Sequence, residues 1–549
     1  MNRTDYLNKM ASILNDPTKF KVCSEDYLKL VFRLEDKINR FLIHLKNIKV
    51  LDSNQYNNLF ASGSNLGQLY GLPKIHKPDI PLRPILAAFS SSNFKLAKFL
   101  VPLLKPLASG NYDVNNSYDF VKNVLTKDAY GKYMVSFDIK SLFTNIPLQE
   151  TIDLIICQLF PNDRSIFHGF SRSDFRKALE LTALDSYFTF NDQIYLQCDG
   201  VAMGSPLGPI FANIFIANLE RTLFKNCPNN FKPTYYCRYV DDTFALFKSK
   251  EQASNFLNYI NSLHSNIHFT MECEENQHLS FLDVLVERCD SSFRTSVFRK
   301  KTFTNLGLNF FSFIPYNFKL NALRTLIFRG FHISSTFELF HKEMQFLRNF
   351  FEINGFPTDL FWRMVGRFLR DKYSPPFPVP TVRKLPFFIS VPYLGHFNKI
   401  LVKRLSSCLA KFYPYIDFKF VSNNPHKISN FFSCKGKVQP LFRSGVVYQY
   451  TCPKCNLGTY IGSTIRLLYV RICGHLGLSH RTRLPLSSPE FSAIRQHSLR
   501  CKSRINFSDF RILDFHNDSS SLRILESMHI KTRSPNLNLD SASITLHVF

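Results

Sequence analysis

The sequence predicts an α/β multidomain protein, and three observations carry that prediction. Its 549 residues exceed what one ordinary core organises, so two to four domains are expected. From about residue 130 to 290, β-prone runs alternate with segments of helical periodicity, the pattern of an α/β unit. A proline cluster, "SPPFPVPTVRKLP" at 374–386, then marks a joint, and a smaller module over 441–540 opens with strands and closes with helices.

Residues 1–62 read as a charged helical segment, with "YLKLVFRLEDKINRFLIHLKNI" placing apolar residues at helical spacing. Gly63, Gly67 and Gly71 punctuate the chain before "YGLPKIHKPDIPLRPILAAFS", whose prolines and cations predict an ordered basic loop or hairpin. "KYMVSFDIKSLF" is a strand ending near Asp138, followed by helices at "IPLQETIDLIICQLF" and "SPLGPIFANIFIANLERTLF". "YCRYVDDTFALF" reads as two short strands with Asp241 and Asp242 at the turn between them, and "HLSFLDVLVER" as a further strand. Residues 296–395 are basic, rich in phenylalanine and mainly helical, and 396–440 form a connector.

Lys and Arg number 68 against 42 Asp and Glu, a formal charge of +26 spread along the chain. Such a field favours a long polyanion, and nucleic acid is the leading partner. The polar start lacks the apolar core of a signal peptide, and the most apolar run, "GPIFANIFIANL", is broken by Asn213 and Asn218, so no membrane partner is expected. The 13 cysteines read as reduced thiols, some of them candidate metal ligands, in a cytosolic or nuclear chain.

Asp241 and Asp242 pose the sharpest chemical question, because adjacent buried carboxylates repel unless a cation neutralises them. An Asp-Asp pair also occurs in solvated hairpin turns. A metal site needs a further carboxylate, and Asp138, at the end of its own β segment, supplies it. Three such groups can hold two Mg²⁺ ions, one activating an attacking hydroxyl and one supporting a leaving phosphate.

The order "SFDIKSLFTNIP", "GVAMGSPLGPIFANIFI", "YCRYVDDTFALF", "HLSFLDVLV" resembles palm motifs A, B and C of reverse transcriptases and the segment after C. "LYGLPKIHKP" followed by "RPI" is similar to the fingers motifs of the Penelope-like retroelement family. The resemblance implies a right-hand polymerase, with fingers and palm over 63–295 and a mainly helical thumb over 296–395. It also implies metal ligation by Asp138 and Asp241, with Asp242 completing the site. Phe143 matches the aromatic gate against a ribose 2′-hydroxyl, or is a plain core residue. Arg83, with Lys74 and Lys77, would reach the incoming deoxynucleoside triphosphate or a template phosphate. Gly204, Ser205 and Pro206 match the motif B turn, preceded here by Ala202 and Met203 where other reverse transcriptases often carry Gln. In the thumb, "FRKKTFTNLGLNFFSF" interleaves cations with aromatics.

"GVVYQYTCPKCNLGTYIGSTIRLLYVRICGH" sets two tyrosines on neighbouring strands and an Arg and a His four residues apart on one helix face. With "LRILESMHIKTRSPNLN" downstream it resembles a small α+β GIY-YIG endonuclease over 441–540, its first signature reading Val446-Val447-Tyr448 and its second Tyr460-Ile461-Gly462. The resemblance implies that Tyr448 and Tyr460 assist the attacking water, Arg471 and His475 lie beside the scissile phosphate, Glu526 holds one divalent cation and Asn536 closes the site. Cys452, Cys455, His497 and Cys501 have spacings suited to a structural tetrahedral Zn²⁺ site. His480 is another candidate for the fourth ligand, and the cysteines could instead pack as small hydrophobes.

The combined resemblance, over roughly 65–540, is to a Penelope-like retroelement protein. It implies an RNA-directed DNA polymerase joined to a DNA-nicking endonuclease, acting on target DNA and an RNA template in the nucleus after cytoplasmic synthesis. Two other readings are a telomere-associated polymerase with an inert nuclease, and a decayed or domesticated nucleic-acid-binding protein without catalysis. The intact Glu526 speaks against the first, and the intact carboxylates against the second. The short stretch ahead of the fingers would fit a 5′-truncated copy.

Overall fold

The computed structural model describes residues 1–75, 79–162, 166–374, 385–395, 397–423, 439–489, 491–516 and 518–538. Two units are present, Met1–Thr358 with Gln439–Phe549, and Asp359–Val438.

At the centre of the larger unit is an antiparallel four-stranded sheet in the order Tyr235–Tyr239, Asp242–Phe247, Tyr133–Ile139, Phe269–Cys273. Strand alternation divides its side chains between two cores. Val135, Phe137, Ile139, Ala245 and Phe247 face the larger core with the helices Leu148–Leu159, Gly208–Asn226 and Lys250–Ser262. Met134, Phe244 and Leu246 face a smaller core that includes Phe120, Phe281 and Val286. Asp138 and Asp242, directly paired in register, fall on this second face at the sheet's open end.

A five-stranded sheet, in the order Phe20–Cys23, Gln193–Gln197, Ser186–Phe190, Gly67–Pro73, Leu82–Ala87, lies beside it. The basic segment around residue 75 is the hairpin formed by its last two strands. Two expectations change. Residues 1–62 contain three helices, Arg3–Leu14, Tyr27–Asn47 and Ser53–Leu59, but also the strand Phe20–Cys23, because Gln193–Gln197 offers it an open edge. "HLSFLDVLVER" is two strands, His278–Phe281 and Val284–Arg288, turning at Leu282, whose φ is +56°. The long helices Tyr316–Ile333 and Phe337–Ile353 follow an irregular 298–313 stretch.

The C-terminal region is a three-stranded antiparallel sheet, Thr459–Thr464, Val446–Thr451, Phe510–Phe515, with the helices Leu468–Leu476, Ala493–Cys501 and Ser519–Arg533. It docks on helix Tyr27–Asn47. Leu30, Val31, Phe32 and Leu34 share a core with Leu467, Tyr469 and Cys473. Tyr27 stacks on Phe442 at 4.9 Å, and Arg481 pairs with Asp36.

In the smaller unit the parallel strands Leu385–Pro392 and Ile416–Asn423 are joined through helix Phe397–Phe412. Among the described residues, no helix is long and apolar enough to cross a membrane.

Candidate active sites

The first site is the end of the central sheet. Strand pairing brings Asp138 opposite Asp242, and the Ile139 N–H donates to the Asp241 carbonyl at 3.3 Å. Three half-buried carboxylates therefore converge. Burial, and then the charge of Asp138, raises Asp241 above the usual carboxylate range. Burial, with Asp241 and Asp138, pushes Asp242 up to about 6. Crowded carboxylates so raised fit a divalent-metal site. The positive charges of Arg83 and Lys74 act on Asp241, and that of Lys300 on Asp242. Lys77 lies outside the described residues.

The turn that presents the pair is strained. Val240 adopts φ +55°, a region that β-branched residues avoid. Buried Arg238 holds it, with Nη1 donating to the Val240 carbonyl at 3.2 Å, while Nε donates to Glu220 Oε1 at 2.7 Å and Nη2 pairs with Asp113 at 2.6 Å. The Tyr236 hydroxyl also donates to Glu220. This network escapes sequence reading, although Arg238 is a lone charge in the apolar run "YYCRYV".

Gly204 has φ +128°, and a Cβ there would run into the Leu86 carbonyl oxygen of the neighbouring hairpin. The Leu86 N–H donates to the Met203 carbonyl at 2.8 Å, so the Gly204-Ser205-Pro206 turn is fastened to the strand next to Arg83. Phe143 is half-buried against the main core, and its carbonyl accepts from the Val201 N–H.

The second site lies in the C-terminal region. The Tyr448 oxygen accepts from Arg471 Nε at 3.0 Å and lies 2.7 Å from His475 Nε2; His475 Nδ1 is 2.8 Å from Ser492 Oγ. Burial, reinforced by the Arg471 charge, pushes His475 down to about 3, so the imidazole is neutral. Burial raises the hydroxyls of both Tyr448 and Tyr460. The Tyr460 ring lies 5.6 Å from His475, and Ser463 Oγ donates to Glu526 at 2.7 Å. Asn536 and Asn538 clip the edge strand, accepting from the Thr459 and Ile461 N–H groups. Ser463 and Ser492 are additions that no sequence pattern marks.

Cys452, Cys455, His497 and Cys501 bring their ligand atoms within 4.8 Å of one another. Burial opposes ionisation of Cys452, but the Cys455 N–H and the Ser503 hydroxyl outweigh it and hold the thiol down to about 5. A ready thiolate among three further soft or borderline donors fits Zn²⁺. His480 is elsewhere, edge-on to Phe32 at 4.8 Å.

Residues 75–310 match the profile of the reverse transcriptase (RNA-dependent DNA polymerase) family. The reverse transcriptase model thus covers the segment that carries Asp138, Asp241 and Asp242. Residues 306–363 match the animal helix-turn-helix domain. No curated protein matches the chain. Among solved structures it is similar to an apo telomerase from Candida tropicalis lacking its C-terminal domain (14% identity, TM-score 0.33, 41% of this chain and 54% of that one). It is also similar to the Candida albicans telomerase in complex with a TWJ fragment of telomeric RNA (12%, 0.40, 56% and 60%). A third is the BmCPV RNA-dependent RNA polymerase at the elongation state (11%, 0.31, 59% and 29%). The chain spans less than two thirds of the length of each.

Proposed function

We propose that this chain is a Penelope-like retroelement protein in which the reverse transcriptase extends a DNA 3′ end made by its own GIY-YIG endonuclease, copying an RNA template onto nicked target DNA in the nucleus. Its fingers and palm are residues 63–295, its thumb 296–395, its connector 396–440 and its nuclease 441–540. The observation that carries the reading is the Tyr448 oxygen, fixed between Arg471 and His475 on the sheet whose edge strand bears Tyr460 and Ser463 beside Glu526.

In the polymerase, Asp138, Asp241 and Asp242 would hold two Mg²⁺, which supply activation of the 3′-hydroxyl and support for the leaving pyrophosphate. Arg83 and Lys74 receive the triphosphate, Phe143 abuts the sugar, and the Gly204 turn admits the nascent base pair closely. In the nuclease, Arg471 would lie beside the scissile phosphate, with its Nε donating to Tyr448. Tyr448 would orient the attacking water and pass its own hydroxyl proton to Nε2 of neutral His475 as it takes one from the water, aided by Tyr460. A divalent ion on Glu526 would stabilise the departing oxygen. The cluster of Cys452, Cys455, His497 and Cys501 would hold Zn²⁺ structurally.

Two assays on one preparation test this. Asp241→Asn should abolish Mg²⁺-dependent extension of a DNA primer on RNA while leaving plasmid nicking intact. Glu526→Gln and Arg471→Ala should do the reverse, by at least about 100-fold. Nicking indifferent to both nuclease variants would overturn the endonuclease assignment.

A further inference from the structure

Helix Tyr27–Asn47 carries Lys29, Arg33, Lys37 and Arg40 at intervals of four, four and three. These positions form one exposed stripe, opposite the buried Leu30, Leu34, Ile38 and Leu42. The stripe faces Arg481 and Arg483 of the C-terminal region across a cleft of about 1310 Å³, which Lys177 also lines. A second cleft of about 740 Å³, with Arg466, Arg471 and Arg523 and no acidic residue in its lining, adjoins the first, and His480 and Arg481 border both. The two clefts thus connect the exposed cations of the N-terminal helix to Arg471, with Asp26 and Asp36 also lining the first.

We infer that helix Tyr27–Asn47 forms one wall of a duplex-DNA track that leads to Arg471, so that a segment outside the C-terminal module takes part in holding the DNA to be cut. The inference rests on the endonuclease reading for what happens at Arg471, but not for binding. The chemistry of the walls selects the occupant. Exposed cations on a regular stripe match a repeating phosphate backbone. The aromatic rings of the floor are covered, Phe32 and Phe41 at 8% exposure and Tyr469 at 4%, which leaves no platform for the splayed bases of a single strand. Some cations are already engaged, Arg33 with Glu25, Lys37 with Asp185, Arg481 with Asp36 and, at 3.7 Å, Lys177 with Glu180 on the same helix. The first three pairs fix the walls, and Lys29, Arg40 and the loosely paired Lys177 are the positions to test.

The full-length chain, silenced by Glu526→Gln so that DNA stays intact, is titrated with labelled duplex DNA over a range of NaCl. Adding Lys29→Glu, Arg40→Glu and Lys177→Glu together should weaken duplex binding at least about tenfold and flatten the log Kd against log salt slope by about 2–3, close to 0.9 per lost phosphate contact. Lys122→Glu, at an exposed position of helix Ser117–Val124 that lines neither cleft, should leave both unchanged. An unchanged affinity and slope in a triple variant with native melting behaviour would overturn the track. So would a loss confined to single-stranded RNA, which would make RNA the occupant. Should the wild type never nick, yet duplex binding still depend on the three cations, the track stands and only the endonuclease reading falls.

Discussion

Asp242 is the residue whose environment says most. Its carboxyl, pushed up to about 6 by burial and by Asp241 and Asp138, is favoured in the protonated form by folding. Stability from this group is therefore complete below the ordinary carboxylate range and drains away as pH rises through about 6. Bound Mg²⁺ would displace that proton. The rise in melting temperature on adding Mg²⁺ should be small at pH 5 and grow toward pH 7.5, and Asp242→Asn should flatten the trend; thermal melts with and without the ion decide it. Gly204→Ala should cost roughly 1–3 kcal/mol in backbone strain and depress primer extension, since its Cβ has only the Leu86 carbonyl to meet. Asp138, Asp241, Asp242 and Gly204 were legible because each interrupts a local pattern: charge in a β run, or glycine at a turn. Arg238 was not, because its partners Glu220 and Asp113 come from a helix and a loop that only the fold brings near.

At the scale of elements, the carboxylate hairpin depends on Arg238. Removing one partner of a buried ion pair strands the others, so Arg238→Met should cost about 3–5 kcal/mol in urea unfolding. The double change Arg238→Met with Glu220→Leu should recover much of that, because it removes both buried charges. Helix Ala493–Cys501 has a comparable dependence. Ser492 caps it, accepting from the Arg495 N–H, and touches His475 with the same oxygen, while His497 and Cys501 sit on the helix itself. Ser492→Ala should destabilise that helix by about 1 kcal/mol and lower nicking, with Ser492→Thr restoring both; a Zn²⁺-selective chelator in excess Mg²⁺ should mimic the alanine in nicking and spare primer extension. Strong periodicity made the hairpins and long helices readable. Phe20–Cys23 was missed because a four-residue edge strand has too few positions to show a period, and its existence is decided by the open edge of Gln193–Gln197.

For the whole molecule, the seam between helix Tyr27–Asn47 and the C-terminal region decides whether the two regions share one body. Amphipathic spacing announced that the helix buries a face, yet spacing never names what covers it, and Leu467 and Tyr469 could not have been foreseen as its neighbours. Phe32→Ala should cost about 3 kcal/mol at that seam, and limited proteolysis should then release the C-terminal region while primer extension persists. Intact resistance to protease in that variant would show the two regions joined by other means. The seam also sets a schedule. Asp36 and Arg481 are 445 residues apart along the chain, so a ribosome adding about 5–20 residues per second needs roughly 20–90 s between delivering one and the other. Throughout that interval the nascent helix keeps part of its greasy side uncovered, until Leu467, Tyr469 and Cys473 arrive to close it; holding chaperones have their natural client there, and a message stalled before them would yield a chain that is born sticky.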